Sequence, residues 1–112
     1  MAKDDYFVVM YQILKMLYEA LKNGHQVTDE EFSNQLLGLN EQYWNYIIRS
    51  MNDEGFITGV FQIRAAIGTD NAGVKFHNVQ ITPQGIEYLF SNGMMERVKN
   101  TLKDIKGIVP GF

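Results

Sequence analysis

The chain contains no cysteine, which excludes a disulfide frame, a thiolate metal site and a cysteine nucleophile. Proline is scarce: Pro83 and Pro110 are the only two, so no Pro-rich linker divides the sequence and one domain over residues 1–112 is expected. No apolar run approaches the length of a membrane span. The opening Met1-Ala2-Lys3-Asp4-Asp5 is too acidic for a secretory n-region, so the expectation is a cytoplasmic protein without a membrane partner. Positive charge is also in short supply. Ten Lys and Arg stand against thirteen Asp and Glu, which does not suggest a strongly basic nucleic-acid binder.

The apolar share is 46%, enough for a core at this size. Charge is uneven along the chain. Residues 1–39 carry three cations and six acids, residues 40–81 three and four, and residues 82–112 four and three. No internal repeat or low-complexity tract interrupts it.

Phe7, Met10, Leu14, Leu17 and Leu21 recur at helical spacing, and Asn23-Gly24 supplies a stop, so a helix is expected over about 4–23. Val8, Val9, Tyr11, Met16 and Tyr18 leave little of it polar. Two readings stand: burial on several sides by its own domain, or a dimer face. The second gives a homodimer through the first and last helices, using Val9, Met16, Tyr18, Ile105 and the tail to Phe112.

Thr28-Asp29-Glu30-Glu31 has the form of a capping box, with Val27 and Phe32 spaced as a hydrophobic staple. A helix over about 29–37 follows, with Leu36 and Leu37 on its buried side and Gly38 as its break. Asn40 caps the next, over about 41–53, where Trp44, Ile47, Ile48 and Met51 share one face. Strands are expected over about 57–67 and 74–81, joined by the turn-rich Gly68 to Gly73. In the first, Phe61 and Ile63 alternate with Gln62 and Arg64. In the second, Val74 and Phe76 have one parity and Val79 and Ile81 the other, which a bulge near His77-Asn78 reconciles. Thr82-Pro83 opens a helix over about 83–92, with Ile86, Leu89 and Phe90 apolar. A last helix spans about 95–106, with Met95, Val98, Leu102 and Ile105 on one stripe.

The order predicts an α+β, mainly α fold: a three-helix core, a two-stranded hairpin and two C-terminal helices. Three stretches carry a resemblance to winged helix-turn-helix proteins, covering roughly residues 27–90. They are Val27-Thr28-Asp29-Glu30-Glu31-Phe32; Trp44-x-x-Ile47-Ile48-x-x-Met51 running into Gly55-Phe56-Ile57; and Ile81-Thr82-Pro83-Gln84-Gly85-x-x-Tyr88-Leu89. More narrowly, Gly55-Phe56-Ile57-x-Gly59-Val60 and Ile81-Thr82-x-x-Gly85-x-x-Tyr88-Leu89 resemble the small YjcQ-like proteins of bacteria and their phages or prophages. That resemblance implies a winged-helix fold and carries no biochemical activity across. This chain differs in a longer apolar first helix and a longer wing loop.

Catalytic chemistry finds little support. His25 and His77 stand alone, so no metal is expected. Asp29, Glu30 and Glu31 are accounted for by a helix first turn. Ser33, Ser50 and Ser91 lack a nucleophile elbow, and Gly68 to Gly73 is not a phosphate loop. Neither an enzyme nor a cofactor is expected.

Two functions from different classes remain. In a helix-turn-helix, the outward side of the second motif helix enters the major groove. Here that side carries Gln42, Asn45, Tyr46 and Arg49, types that can read adenine and guanine edges. Arg64 and Lys75 on the hairpin are candidates for phosphate contacts. Duplex DNA is therefore one candidate partner, with transcriptional regulation by fold analogy. The alternative is a protein-interaction module, favoured by the near-neutral charge and by Tyr43 and Tyr46. A continuous positive strip on this face would support DNA; a neutral or apolar patch, a protein partner.

Overall fold

A computed structural model describes residues 5–28, 30–63 and 73–104. Helix α1 (Tyr6–Lys22) lies at the centre. It packs against helices α2 (Glu41–Asp53), α3 (Pro83–Ser91) and α4 (Gly93–Asp104), and against the second strand of a hairpin, β1 (Ile57–Ile63) and β2 (Gly73–Ile81). The fold is α+β and mainly helical: the described residues form four α-helices and a two-stranded antiparallel sheet. None of these helices is long and apolar enough to cross a membrane.

The central position explains the composition of α1. Every residue from Val8 to Leu14 is buried, as is Leu17, so the helix is covered on more than one side by its own chain. Val9 is 0% exposed, which removes it from the surface expected to pair two protomers. Met16 and Tyr18 are partly buried against the core. Ile105 and the tail to Phe112 lie outside the described residues. The ends of the expected stripe, Phe7 and Leu21, reach solvent instead.

Of the segment expected as a helix over 29–37, residue 29 lies outside the described residues and 30–37 do not form an α-helix. The Thr28–Glu31 contacts of a capping box do form: the Glu31 amide donates to Thr28 Oγ1, and that hydroxyl donates to Glu31 Oε1, both at 3.3 Å. One helical bond follows, from the Phe32 amide to the Thr28 carbonyl. Ser33 then turns extended (φ −137°, ψ 167°), and only a 3-10 turn at Asn34–Leu36 follows. Tertiary packing wins over the local signal. Phe32 is driven between Trp44 and Phe76, with ring centroids 5.0 and 4.9 Å away. Asn34 Nδ2 meanwhile donates to the Leu39 carbonyl. Leu36 is exposed and Leu37 half-buried, so neither continues a buried helix face.

Helix α2 obeys its local code. Asn40 Oδ1 accepts from the Gln42 and Tyr43 amides, and Trp44, Ile47, Ile48 and Met51 form the buried face. Gly55 (φ +81°) closes it: its amide bonds the Asn52 carbonyl and the Phe56 amide bonds the Met51 carbonyl, a left-handed closure that only glycine adopts cheaply. In the hairpin the register breaks at Gly59. Thr58 pairs with Gln80 and Val60 with Phe76, so Gly59 faces the three residues His77-Asn78-Val79. Asn78 takes φ +53°, and a Cβ on Gly59 would stand 2.5 Å from the His77 carbonyl oxygen. This irregularity turns Val60 inward and leaves Phe61 57% exposed, reversing the parity expected for Phe61. Residues 64–67 of the expected first strand lie outside the described residues.

Thr82 caps α3 by accepting from the Gly85 amide, with Pro83 at the first position. Gly85 and Leu89 are its buried residues, while Phe90 faces solvent. Asn92 breaks α3 and caps α4, accepting from the Met94 and Met95 amides. Met95, Val98 and Leu102 then seat α4 in the core.

Candidate functional site

Burying Trp44, Ile47, Ile48 and Met51 turns the opposite side of α2 outward. Gln42 is exposed, Asn45 and Arg49 are half-buried, and Tyr46 is 57% exposed. The Arg49 Nε donates to the Asn45 carbonyl at 3.3 Å, which lays the arginine stem along the helix. Lys75, on β2, is exposed. Arg64 lies outside the described residues.

The hairpin folds back over the first turns of α2, leaving a cleft of about 240 Å³ between them. Asn45 and Lys75, thirty positions apart in sequence, line it together. So do Glu41 and Asn34, with the buried rings of Phe32 and Trp44 on its wall. Lys75 and Glu41 have opposite signs, so this cleft is polar without being positive. Phe32 and Asn34 escaped the sequence reading because they were assigned to a helix that does not form.

Tyr46 and Arg49 do not line that cleft. The ring of Tyr46 instead meets Tyr6 of α1 edge-on, 6.4 Å between centroids, and Tyr6 meets Phe7 at 5.2 Å. Burial raises the Tyr6 hydroxyl pKa, a side-chain hydrogen bond with Ser50 lowers it, and Tyr46 and Glu54 raise it further; the net direction is up. Tyr88 is raised mainly by burial, then by Tyr6 and Glu54. The outward side of α2 therefore passes from a polar cleft at one end to an aromatic group beside Glu54 at the other. Tyr6 does not stand out in the sequence, because Tyr46, Ser50 and Glu54 lie forty or more positions away.

Elsewhere the cations are committed differently. Lys15 and Lys22 both pair with Glu19, at 3.1 and 3.6 Å. His25 Nε2 lies 2.8 Å from Glu31 Oε2. Among the described residues, no three His, Asp or Glu side chains converge as a metal site would need.

Two runs singled out by the sequence meet across the structure. Thr82 Oγ1 donates to the Gly55 carbonyl at 2.6 Å, Gln84 Nε2 to the Glu54 carbonyl at 2.9 Å, and the Thr82 amide to the Phe56 carbonyl at 3.0 Å. Gly85 sits so close that a Cβ there would be 2.2 Å from the Phe56 oxygen. The start of α3 is thus locked onto the end of α2, which holds the hairpin between them in place.

No curated protein and no solved structure matches the chain. A family model described as YjcQ protein matches residues 11–108, most of its length. The two interlocked runs fall inside that match, and the chain belongs to the YjcQ family.

Proposed function

We propose that this protein is a winged-helix DNA-binding module, with α2 as the groove-facing helix, the β1–β2 hairpin as the wing, and transcriptional regulation as its role. The observation that carries the reading is the shared surface of α2 and the hairpin, where Asn45 and Lys75 line one cleft and Gln42 and Arg49 extend the polar side. A 3-10 turn stands where the first helix of a regular helix-turn-helix would be, and the Gly38–Asn40 connection still delivers the chain to α2. Gln and Asn suit adenine edges, and Arg suits guanine. Cations are few, so phosphate contacts supply little: two or three per subunit give a slope of log K on log salt of about −2 to −3.

Fluorescence anisotropy on random and selected duplexes at low salt tests this. Arg49→Ala should cost about 1–3 kcal/mol on a preferred site and little on random DNA, whereas Lys75→Ala and Arg64→Ala should weaken both alike. Absence of binding to any duplex would transfer the reading to a protein-interaction module. One observation favours that second reading: the Tyr46, Tyr6 and Phe7 rings beside Glu54 form a surface suited to a protein and repellent to phosphate.

A further inference from the structure

A second cleft, of about 350 Å³, lies between Phe56 and the outward side of α3. Gln84, Glu87, Tyr88 and Ser91 fall at spacings of 3, 1 and 3, so one face of α3 presents all four to it. Phe56 stacks on Tyr88 with centroids 4.4 Å apart and planes 27° from parallel. Gln84 has its amide nitrogen bound to the Glu54 carbonyl, which leaves its Oε1 as an acceptor. Glu87 adds a carboxylate, and Glu54 brings a second negative charge close enough to act on Tyr88 and Tyr6. None of the described residues lining the cleft is Lys, Arg or His. Among the described residues, the wall therefore combines aromatic rings, acceptors and negative charge without a lysine, arginine or histidine. Tyr6, which does not line the cleft but is near enough to act electrostatically on Tyr88, meets the rings of Tyr46 and Phe7, so aromatic side chains extend past the cleft.

We propose that this cleft docks an arginine-bearing segment of a basic protein partner. The guanidinium is the group that satisfies all parts of the wall at once. It is planar and weakly hydrated, it stacks on aromatic rings, and it offers five donors in a fixed fork to carboxylates and amide oxygens. Lysine would gain the charge but not the stacking. Nucleic acid would meet the Glu87 carboxylate, with Glu54 close by. The proposal does not rest on the DNA reading, since none of Gln42, Asn45, Arg49 or Lys75 lines this cleft.

The test is anisotropy of a fluorescein-labelled arginine–glycine repeat peptide titrated with the full chain, beside lysine–glycine and glutamate–glycine repeats. Saturable binding that prefers arginine and weakens with salt is expected. Glu87 is exposed, so Glu87→Lys should leave the thermal melt unchanged while weakening binding about tenfold. Tyr88→Leu should weaken it and Tyr88→Phe should retain it. Arg49→Ala and Lys75→Ala should not change it, which separates this site from the DNA reading. The proposal is overturned by no saturable binding, by equal binding of the Glu87→Lys protein, by a preference for the acidic peptide, or by sedimentation showing a second copy seated on the cleft.

Discussion

Replacing Gly85 by Ala perturbs the joint on which the hairpin and α3 both depend. The new Cβ would lie 2.2 Å from the Phe56 carbonyl oxygen and 2.9 Å from Ile81 Cγ1, where about 3.0 Å is the closest approach real Cβ atoms show. The Phe56 carbonyl must yield by about 0.8 Å. It is backbone, and it already accepts from the Thr82 amide at 3.0 Å. The neighbouring Thr82–Gly55 and Gln84–Glu54 bonds hold the same turn against movement. Overpacking costs about 1–3 kcal/mol, and a lost or stretched hydrogen bond adds about 1 kcal/mol. Against this, Ala is better than Gly within a helix by about 1 kcal/mol. The steric terms win, leaving a net loss of about 1–3 kcal/mol and a melting temperature lower by about 5–15 °C for a domain of this size. Gly93→Ala is the matched control, because nothing lies within 4 Å of a Cβ there and the position opens α4. It should be neutral or slightly stabilising. Far-UV circular dichroism melts, with urea titrations to check the slope, compare the two. A Gly85→Ala protein as stable as the Gly93→Ala protein would refute the reasoning.

Other outcomes follow from burial and charge. Phe32→Ala should destabilise by about 3–5 kcal/mol in urea unfolding, a core-sized loss from an irregular segment, because the ring is 1% exposed between Trp44 and Phe76. Gln12 is buried with its Oε1 unpartnered, so Gln12→Met should raise stability by about 1 kcal/mol; a fall would reveal a partner for that oxygen. Tyr6, Tyr11 and Tyr88 are pushed up, each first by burial, so ultraviolet titration followed with single Tyr→Phe variants should show each of these hydroxyls ionising late. Because folding raises these values, their contribution is full below the ordinary tyrosine pKa of about 10 and is lost as pH climbs through the folded values. Glu31 is held low, first by its hydrogen bond with His25, so its contribution is present above its unfolded pKa and lost as pH falls. His25→Ala should move the Glu31 titration upward by NMR, and an unmoved carboxyl would discount the pair.

Much of the architecture could be read from local signals. The Asn40 cap, the Trp44-to-Met51 spacing and Gly55 located α2, and Thr82-Pro83 located the start of α3, because caps and helical stripes act within four residues. The parity break between Phe76 and Val79 disclosed the hairpin irregularity, since side-chain alternation is a property of the strand itself. The candidate residues of α2 were legible for the same reason: one face being apolar defines the other. What was not legible depended on distant partners. The capping box at Thr28 formed its bonds but not its helix, because burying Phe32 against Trp44 and Phe76 outweighed a weak local preference. Phe61 turned outward once the register broke at Gly59.

The sequence by itself determined where α2 and α3 begin, which face of α2 is apolar, and that acidic residues outnumber basic ones. Only the tertiary structure decided that α1 is covered on more than one side, that Lys75 shares a cleft with Asn45, and that Phe56 stacks on Tyr88 beside Glu54. Capping and periodicity are short-range, fixed by backbone geometry over a single turn. Each cleft joins side chains from segments distant in sequence, such as Asn45 with Lys75 and Phe56 with Tyr88, which come together only when burial of the core chooses one packing of the elements over the others.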